Sequence, residues 1–147
     1  MDNKYTHTGE RKKNFVENMF DKISTKYDIF NHVSTFYIDK YWRYKFIKKL
    51  NLKNESHVLD IATGTGDIII TICNKNSNLT GFGYDCSQNM LEIAKNKSKN
   101  KEINNIEYTY GYAENLPFKD NSMDIITISF GLRNFNDYEK KVLDRIS

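Results

Sequence analysis

Residues 56–67 read SHVLDIATGTGD. A short apolar run closes on an acid, a glycine-spaced loop follows at once, and Asp67 stands where a helical pattern begins. That order predicts a strand, a tight turn and a helix N-terminus. Such a turn leaves backbone N–H groups without intrahelical partners and lets the main chain approach whatever lies above it. The segment reads first as a nucleotide-binding loop.

Spacing narrows the ligand. A dinucleotide fingerprint requires a third glycine three residues after the second, and here Gly64 and Gly66 are followed by Ile69. No G-x-x-x-x-G-K-[ST] pattern occurs, which excludes a P-loop. Two acids remain: Asp60, four residues before Gly64, and Asp85, closing the next strand-like run LTGFGYD nineteen residues after Gly66. That is where a ribose-binding acid belongs in a βαβ unit. Asp85 would accept from both ribose hydroxyls, and Asp60 would hold a cationic amine or sulfonium by charge and water. S-adenosylmethionine meets that demand better than a pyrophosphate, which Asp60 would repel. The loop glycines could instead serve only a tight turn, and Asp85 could be an ordinary strand-end acid. Asp67 reads as a helix N-cap rather than a ligand group.

With 147 residues the chain can bury one core but is short for two domains. Its net charge of +3 gives little reason to expect a polyanion partner. Lys outnumbers Arg eighteen to four and Asn matches Lys, which points to biased base composition in the gene rather than to a nucleic-acid surface. Cys73 and Cys86 form no C-x-x-C or metal pattern and read as small buried hydrophobes in a reducing compartment. His7, His32 and His57 are scattered, and no metal site is expected. Neither a signal peptide nor a membrane-length apolar run is visible, so a cytoplasmic location is expected, at most peripheral to a membrane.

Helical spacing of Phe15, Val16, Met19, Phe20 and Ile23 predicts a helix from Arg11 to about Lys26. The aromatic segment YDIFNHVSTFY follows. Ile38, Trp42, Phe46 and Leu50 then mark a second helix whose other faces carry Lys40, Arg43, Lys45, Lys48 and Lys49. This basic, aromatic helix is either a solvated charged face or a contact with a membrane surface. Beyond it, strands are predicted at 57–62, 80–84, 106–110 and 124–130, and helices at 67–75 and 88–99, the latter capped by Ser87. The last strand, DIITISF, is apolar on both faces, as a central parallel strand should be. A further helix begins at Asp137.

Three segments, in order, resemble the quinone-biosynthesis C-methyltransferases, the demethylmenaquinone and ubiquinone methyltransferases. MFDKISTKYDIFNHVSTFYIDKYWR (19–43) is similar to that family's first signature, in which a helix leads through Tyr-Asp and Asn to a Trp-Arg pair. DIATGTGD (60–67) resembles its cofactor loop, and AENLPFKDNSMDIITISFGLRNF (113–135) its second signature. The resemblance implies a partial class I methyltransferase core, a Rossmann-like α/β fold with parallel strands ordered 3-2-1-4. A helical cap over residues 1–52 would precede an incomplete S-adenosylmethionine-binding core at 53–147.

Carried over by position, the resemblance implies Thr65, Asp85, Tyr112, Ala113 and Ser129 as cofactor contacts, beside Asp60, Gly64 and Gly66. Where the family mostly has Asp or Asn before the alanine, this chain has Tyr112, which would serve by a backbone hydrogen bond or ring stacking. Ser129 could equally satisfy backbone groups at a strand end. Arg133 and Asn134 follow the fourth strand at the carboxyl edge where open α/β sheets bind ligands. Arg133 would stabilise a quinolate, directly or through a water, while Tyr27 and Asn31 orient the ring. A surface salt bridge is the alternative for Arg133.

The implied reaction is in-line attack of a demethylmenaquinol ring carbon on the sulfonium methyl, releasing S-adenosylhomocysteine and a proton. No metal is needed for an electrophile already activated as a sulfonium. The implied partner is a prenylated quinol, naphthoquinol or benzoquinol, and a bacterial look favours the naphthoquinol. The family continues with three more strands, so the fourth strand is expected to be an exposed edge open to self-association. A truncated enzyme, a decayed copy without activity and a cofactor-binding module all stay open, as does, more weakly, a nicotinamide-binding protein.

Overall fold

The computed structural model describes residues 38–128, with the side chains of 38–40, 42 and 114 left aside. Helix α1 (Ile38–Lys49) precedes strand β1 (His57–Ile61), helix α2 (Asp67–Lys75), strand β2 (Thr80–Asp85) and helix α3 (Gln88–Asn100). Strand β3 (Ile106–Tyr110), a single 3-10 turn at Ala113–Asn115 and strand β4 (Ile125–Ile128) follow. All three pairings are parallel and the order is β3-β2-β1-β4, the order the sequence implies. Boundaries move little: β1 stops at Ile61 rather than 62, and β2 runs on through Asp85. The expected helix at 11–26, the aromatic segment after it and the helix from Asp137 lie outside the described residues. The same holds for the end of the fourth strand and for the side chain of Trp42, which reads as a core residue.

Strand alternation divides the apolar residues between the two sheet faces. Val58 packs with Ile68, Ile69, Ile70, Ile72 and Cys73 of α2, with Leu79 and Ile103, and with Ile47 of α1. Leu59, Ile61 and Tyr84 face the other way, onto Ala113, Leu116, Phe118 and Met123. There the rings of Phe82 and Tyr84 meet Phe118 edge-on, with centroids 5.5 and 6.1 Å apart. Ile69 and Ile72 are fully buried, so truncating either to Ala belongs to the class of change that costs about 2–5 kcal/mol.

The missing third glycine has a structural counterpart. Ile69 and Cys73, one turn apart on α2, lie over Gly81 of β2, where an added Cβ would stand 2.6 Å from the Cys73 sulfur and 3.1 Å from Ile69. Close helix–strand packing is thus achieved with the small residue on the strand instead of the helix. Burial pushes the Cys73 thiol up to about 12, which leaves it an inert core group. Cys86 departs from expectation: it is only half-buried, since it lies in the turn between β2 and α3 rather than within an element.

Candidate functional site

The loop between β1 and α2 contains three left-handed residues: Ala62 at φ 55, Gly64 at φ 56 and Gly66 at φ 79. Backbone bonds hold it closed, from Thr63 N to Tyr84 O at 3.1 Å and from Gly66 N to Thr63 O at 3.0 Å. The two glycines serve different ends. A Cβ on Gly64 would meet nothing within 4 Å, so this backbone is open to approach. One on Gly66 would stand 2.9 Å from Ala94 Cβ of α3 and 3.0 Å from the Tyr108 hydroxyl. Gly64 offers the surface, and Gly66 seats the loop on the fold.

Asp60 lies beneath the loop and is 2% exposed. In the register Tyr108, Gly83, Asp60 and Thr127 form one row across the sheet. The Thr127 hydroxyl donates to one carboxylate oxygen of Asp60 and the Thr63 hydroxyl to the other, each at 2.6 Å. The acid therefore ties β4 to the loop. Buried this far, it acts on anything above the loop by its charge rather than from an exposed surface.

Burial raises the Asp60 carboxyl to about 6, outweighing the two hydroxyl donors, and the charge of Asp85 adds to the rise. The folded state then holds this proton more tightly than the unfolded chain. Stability from this group is full below the ordinary value of 3.8 and is lost as pH rises through about 6. Asp60→Asn is expected to remove this component. Urea unfolding from about pH 4 to pH 7 should show the wild type losing on the order of 3 kcal/mol more than the variant.

Asp85 ends β2 with both carboxylate oxygens turned to backbone donors. Gly64 N–H reaches Oδ2 at 2.7 Å and Ser87 N–H reaches Oδ1 at 2.9 Å. A carboxylate has about four acceptor positions, more than these two bonds use. Ser87 caps α3 as expected, its hydroxyl accepting from Met90 N–H at 3.3 Å. Asp85 is thus placed by the loop on one side and a helix N-terminus on the other.

Asp67 is not the N-cap. That position is Gly66, left-handed and without a side chain to cap with, and Asp67 is the first helical residue. Its carboxylate pairs with Arg43 of α1 through Oδ2 and with Lys97 of α3 through Oδ1 at 3.0 Å. Lys97 also donates to the Thr65 hydroxyl at 2.9 Å. Burial pushes the Asp67 carboxyl up, yet Lys97 and then Arg43 outweigh it and hold the group below the usual carboxylate range.

Past β3, the Tyr84 hydroxyl donates to Asn115 O at 3.0 Å and steadies the turn carrying buried Ala113. The ring of Tyr84 lies against Gly111, where a Cβ would fall 1.9 Å from its hydroxyl. Tyr112 precedes this turn in extended conformation and meets Tyr110 edge-on, with centroids 6.1 Å apart. Tyr110 closes β3, the strand beside β2, and Tyr112 and buried Ala113 follow just past it.

The ubiE/COQ5 methyltransferase family model matches residues 6–146, nearly the whole chain. The chain belongs to that family. Among curated relatives it is 44% identical to the demethylmenaquinone methyltransferase of Staphylococcus saprophyticus, over 86% of this chain and 54% of the relative. It is 40% identical to that of Thermotoga maritima, over 88% of this chain and 54% of the relative. The chain spans about half the length of the curated relatives it matches. Among solved structures, the YcgJ protein from Bacillus subtilis superposes with TM-score 0.64 at 30% identity, covering 71% of this chain and 44% of that one. A SAM-dependent methyltransferase from Aquifex aeolicus, at 22% identity and TM-score 0.62 over 71% of this chain and 57% of its own, shares the fold. The fold is that of the class I methyltransferases.

Of the residues expected at the site, this family member brings Asp60, Gly64, Thr65, Gly66 and Asp85 to the carboxyl ends of β1 and β2, with Tyr112 and Ala113 following β3. Ser129, Arg133, Asn134, Tyr27 and Asn31 lie outside the described residues. Thr63, Thr127 and Lys97 escaped the sequence reading, and Arg43 entered it only as a basic residue of the second helix and the end of the first signature. Thr63 lies three residues after Asp60, and a buried acid needs donors, so its hydroxyl was legible in principle. Thr127 and Lys97 come from remote segments and carry no local signal. Among the described residues, no three His, Cys, Asp or Glu side chains gather as a metal site would require.

Proposed function

We propose that this chain carries the S-adenosylmethionine site of a demethylmenaquinol C-methyltransferase, with residues 1–52 as a helical cap and 53–147 as the cofactor-binding core. The observation that carries the reading is the open backbone at Gly64 with the Asp85 carboxylate held against its N–H. A ligand bearing a vicinal diol and a cationic group fits such a cradle. Asp85 would accept from the ribose hydroxyls, Gly64 and Thr65 would line the approach, and Asp60 would favour the positive end by charge. Tyr112 and Ala113 would border the adenine, with Tyr112 offering a ring face in place of a small polar side chain. Ser129 would complete the contacts from the end of the fourth strand.

When bound, the cofactor supplies a methyl group made electrophilic by its sulfonium. The chain's own contribution is alignment and exclusion of water. Arg133 would stabilise the quinolate left when a ring hydroxyl loses its proton, and Tyr27 and Asn31 would orient the ring. The likeness to relatives named demethylmenaquinone methyltransferase supports a naphthoquinol over a benzoquinol.

A prenylated quinol resides in lipid, and α1 has features suited to a bilayer surface. Tyr41, Tyr44 and Phe46 are 53%, 52% and 43% exposed, with Lys45 over the Tyr41 ring and Lys75 over the Tyr44 ring. No described helix is long and apolar enough to cross a membrane. We assign the protein to the cytoplasmic side, in peripheral contact with the bilayer. One assay tests both parts, using methyl-labelled S-adenosylmethionine, the chain, and a short-chain demethylmenaquinol in anionic vesicles. The expected result is label in the quinol and protein pelleting with the vesicles. Cofactor binding without transfer would leave a binding module, and protein wholly in the supernatant would remove the membrane contact.

A further inference from the structure

We propose that Arg43, acting through Asp67, is a positioning residue for the cofactor loop, so that the helix before the sheet sets the loop's geometry. This deepens the cofactor reading above and rests on it. Asp67 sits directly after the loop, and its two carboxylate oxygens face different elements. One accepts from Lys97 of α3, which also holds the Thr65 hydroxyl inside the loop. The other meets Arg43 of α1. The residue at the loop's exit is therefore clamped between α1 and α3.

Three features make the clamp more than a surface ion pair. Arg43 and Ile47 lie one turn apart on the same face of α1, and Ile47 is buried in the core against α2, so the guanidinium is delivered by a helix already docked. Asp67 stands in the first turn of α2, where a negative charge is favoured by the unpaired N–H groups. Gly66, between Thr65 and Asp67, brings no capping side chain, so the loop's exit gains its polar anchoring from the flanking residues. Lys97 then bridges Thr65 and Asp67 across that glycine, and Arg43 holds the assembly from the opposite side. Loss of Arg43 frees Asp67 to turn wholly toward Lys97, which shifts the competition for Lys97 between Asp67 and Thr65.

The test uses Arg43→Gln, Arg43→Lys and, as a charge control on an exposed side chain, Lys53→Gln. Amide hydrogen exchange is read first, without ligand. Arg43→Gln should speed exchange in residues 62–70 as well as in α1, with β2 and β3 unchanged; faster exchange confined to α1 overturns the proposal. Calorimetry with S-adenosylmethionine is read second. Arg43→Gln should weaken binding about fivefold, Arg43→Lys should recover part of that, and Lys53→Gln should match the wild type. Equal weakening by Lys53→Gln, or none by Arg43→Gln, overturns the proposal. A wild type that binds no cofactor strikes the functional reading, while exchange still decides whether Arg43 holds the loop.

Discussion

Asp85→Ala is expected to raise the dissociation constant for S-adenosylmethionine at least about a hundredfold, because the two charge-assisted hydrogen bonds proposed to the ribose would be lost together. The loss has a second source. Without the carboxylate, the Gly64 N–H and the Ser87 N–H lose the acceptors at 2.7 and 2.9 Å that hold the loop and the start of α3 in place. Asp85→Asn separates the two sources, since it keeps one acceptor oxygen and the side-chain volume. It should bind more tightly than the Ala variant and more weakly than the wild type. Calorimetry and thermal melting on the same samples check this. Binding by a folded Asp85→Ala chain within about twofold of the wild type would remove the ribose assignment.

The second large effect separates the two loop glycines. Gly66→Ala places a methyl 2.9 Å from Ala94 Cβ on a residue at φ 79. Left-handed strain and overpacking together should cost about 2–4 kcal/mol. Ala94 is fully buried and cannot swing aside as a flexible side chain would. Melting should therefore fall by about 5–15 °C. Gly64→Ala carries only the φ penalty, because its Cβ meets nothing within 4 Å. That variant should melt closer to the wild type while losing cofactor affinity, its methyl standing on the ligand's approach. The opposite pattern, with Gly64 the structural residue and Gly66 tolerant, would invert the roles assigned to the loop.

Much of the core around the candidate site is legible in the sequence, and the reasons are physical. Short apolar runs and helical spacing marked the strands and helices of the α/β core to within a residue or two, because the central strand is covered on both faces and the helices pack against it. Asp85 was legible in position, as the acid that closes the second strand. Asp67 misled for a local reason. An acid at a helix start looks like a cap, yet a left-handed glycine took that position and freed the carboxylate for Arg43 and Lys97. Thr127 was invisible as a partner of Asp60 because the contact spans 67 positions and depends on the register of β4 against β1. Arg43, the second residue of the first signature's Trp-Arg pair, has its partner from the tertiary placement of α1 beside the N-terminus of α2.

The buried acid under the loop also separates fold from chemistry. Asp60 reads from sequence as a ligand group, while its two threonine bonds make it a structural tie between the loop and β4. Both roles are compatible with one ionised carboxylate near neutral pH, since burial raises it only to about 6. The loop's geometry and its electrostatics are thus set by the same side chain.

The most direct measurement is isothermal titration of the 147-residue chain with S-adenosylmethionine near neutral pH, with S-adenosylhomocysteine as competitor. One site of micromolar affinity, displaced by S-adenosylhomocysteine, is the expected result. A chain that melts cooperatively and gives no binding heat and no displacement at millimolar ligand would contradict the assignment of the Asp60–Asp67 loop and Asp85 as a cofactor site.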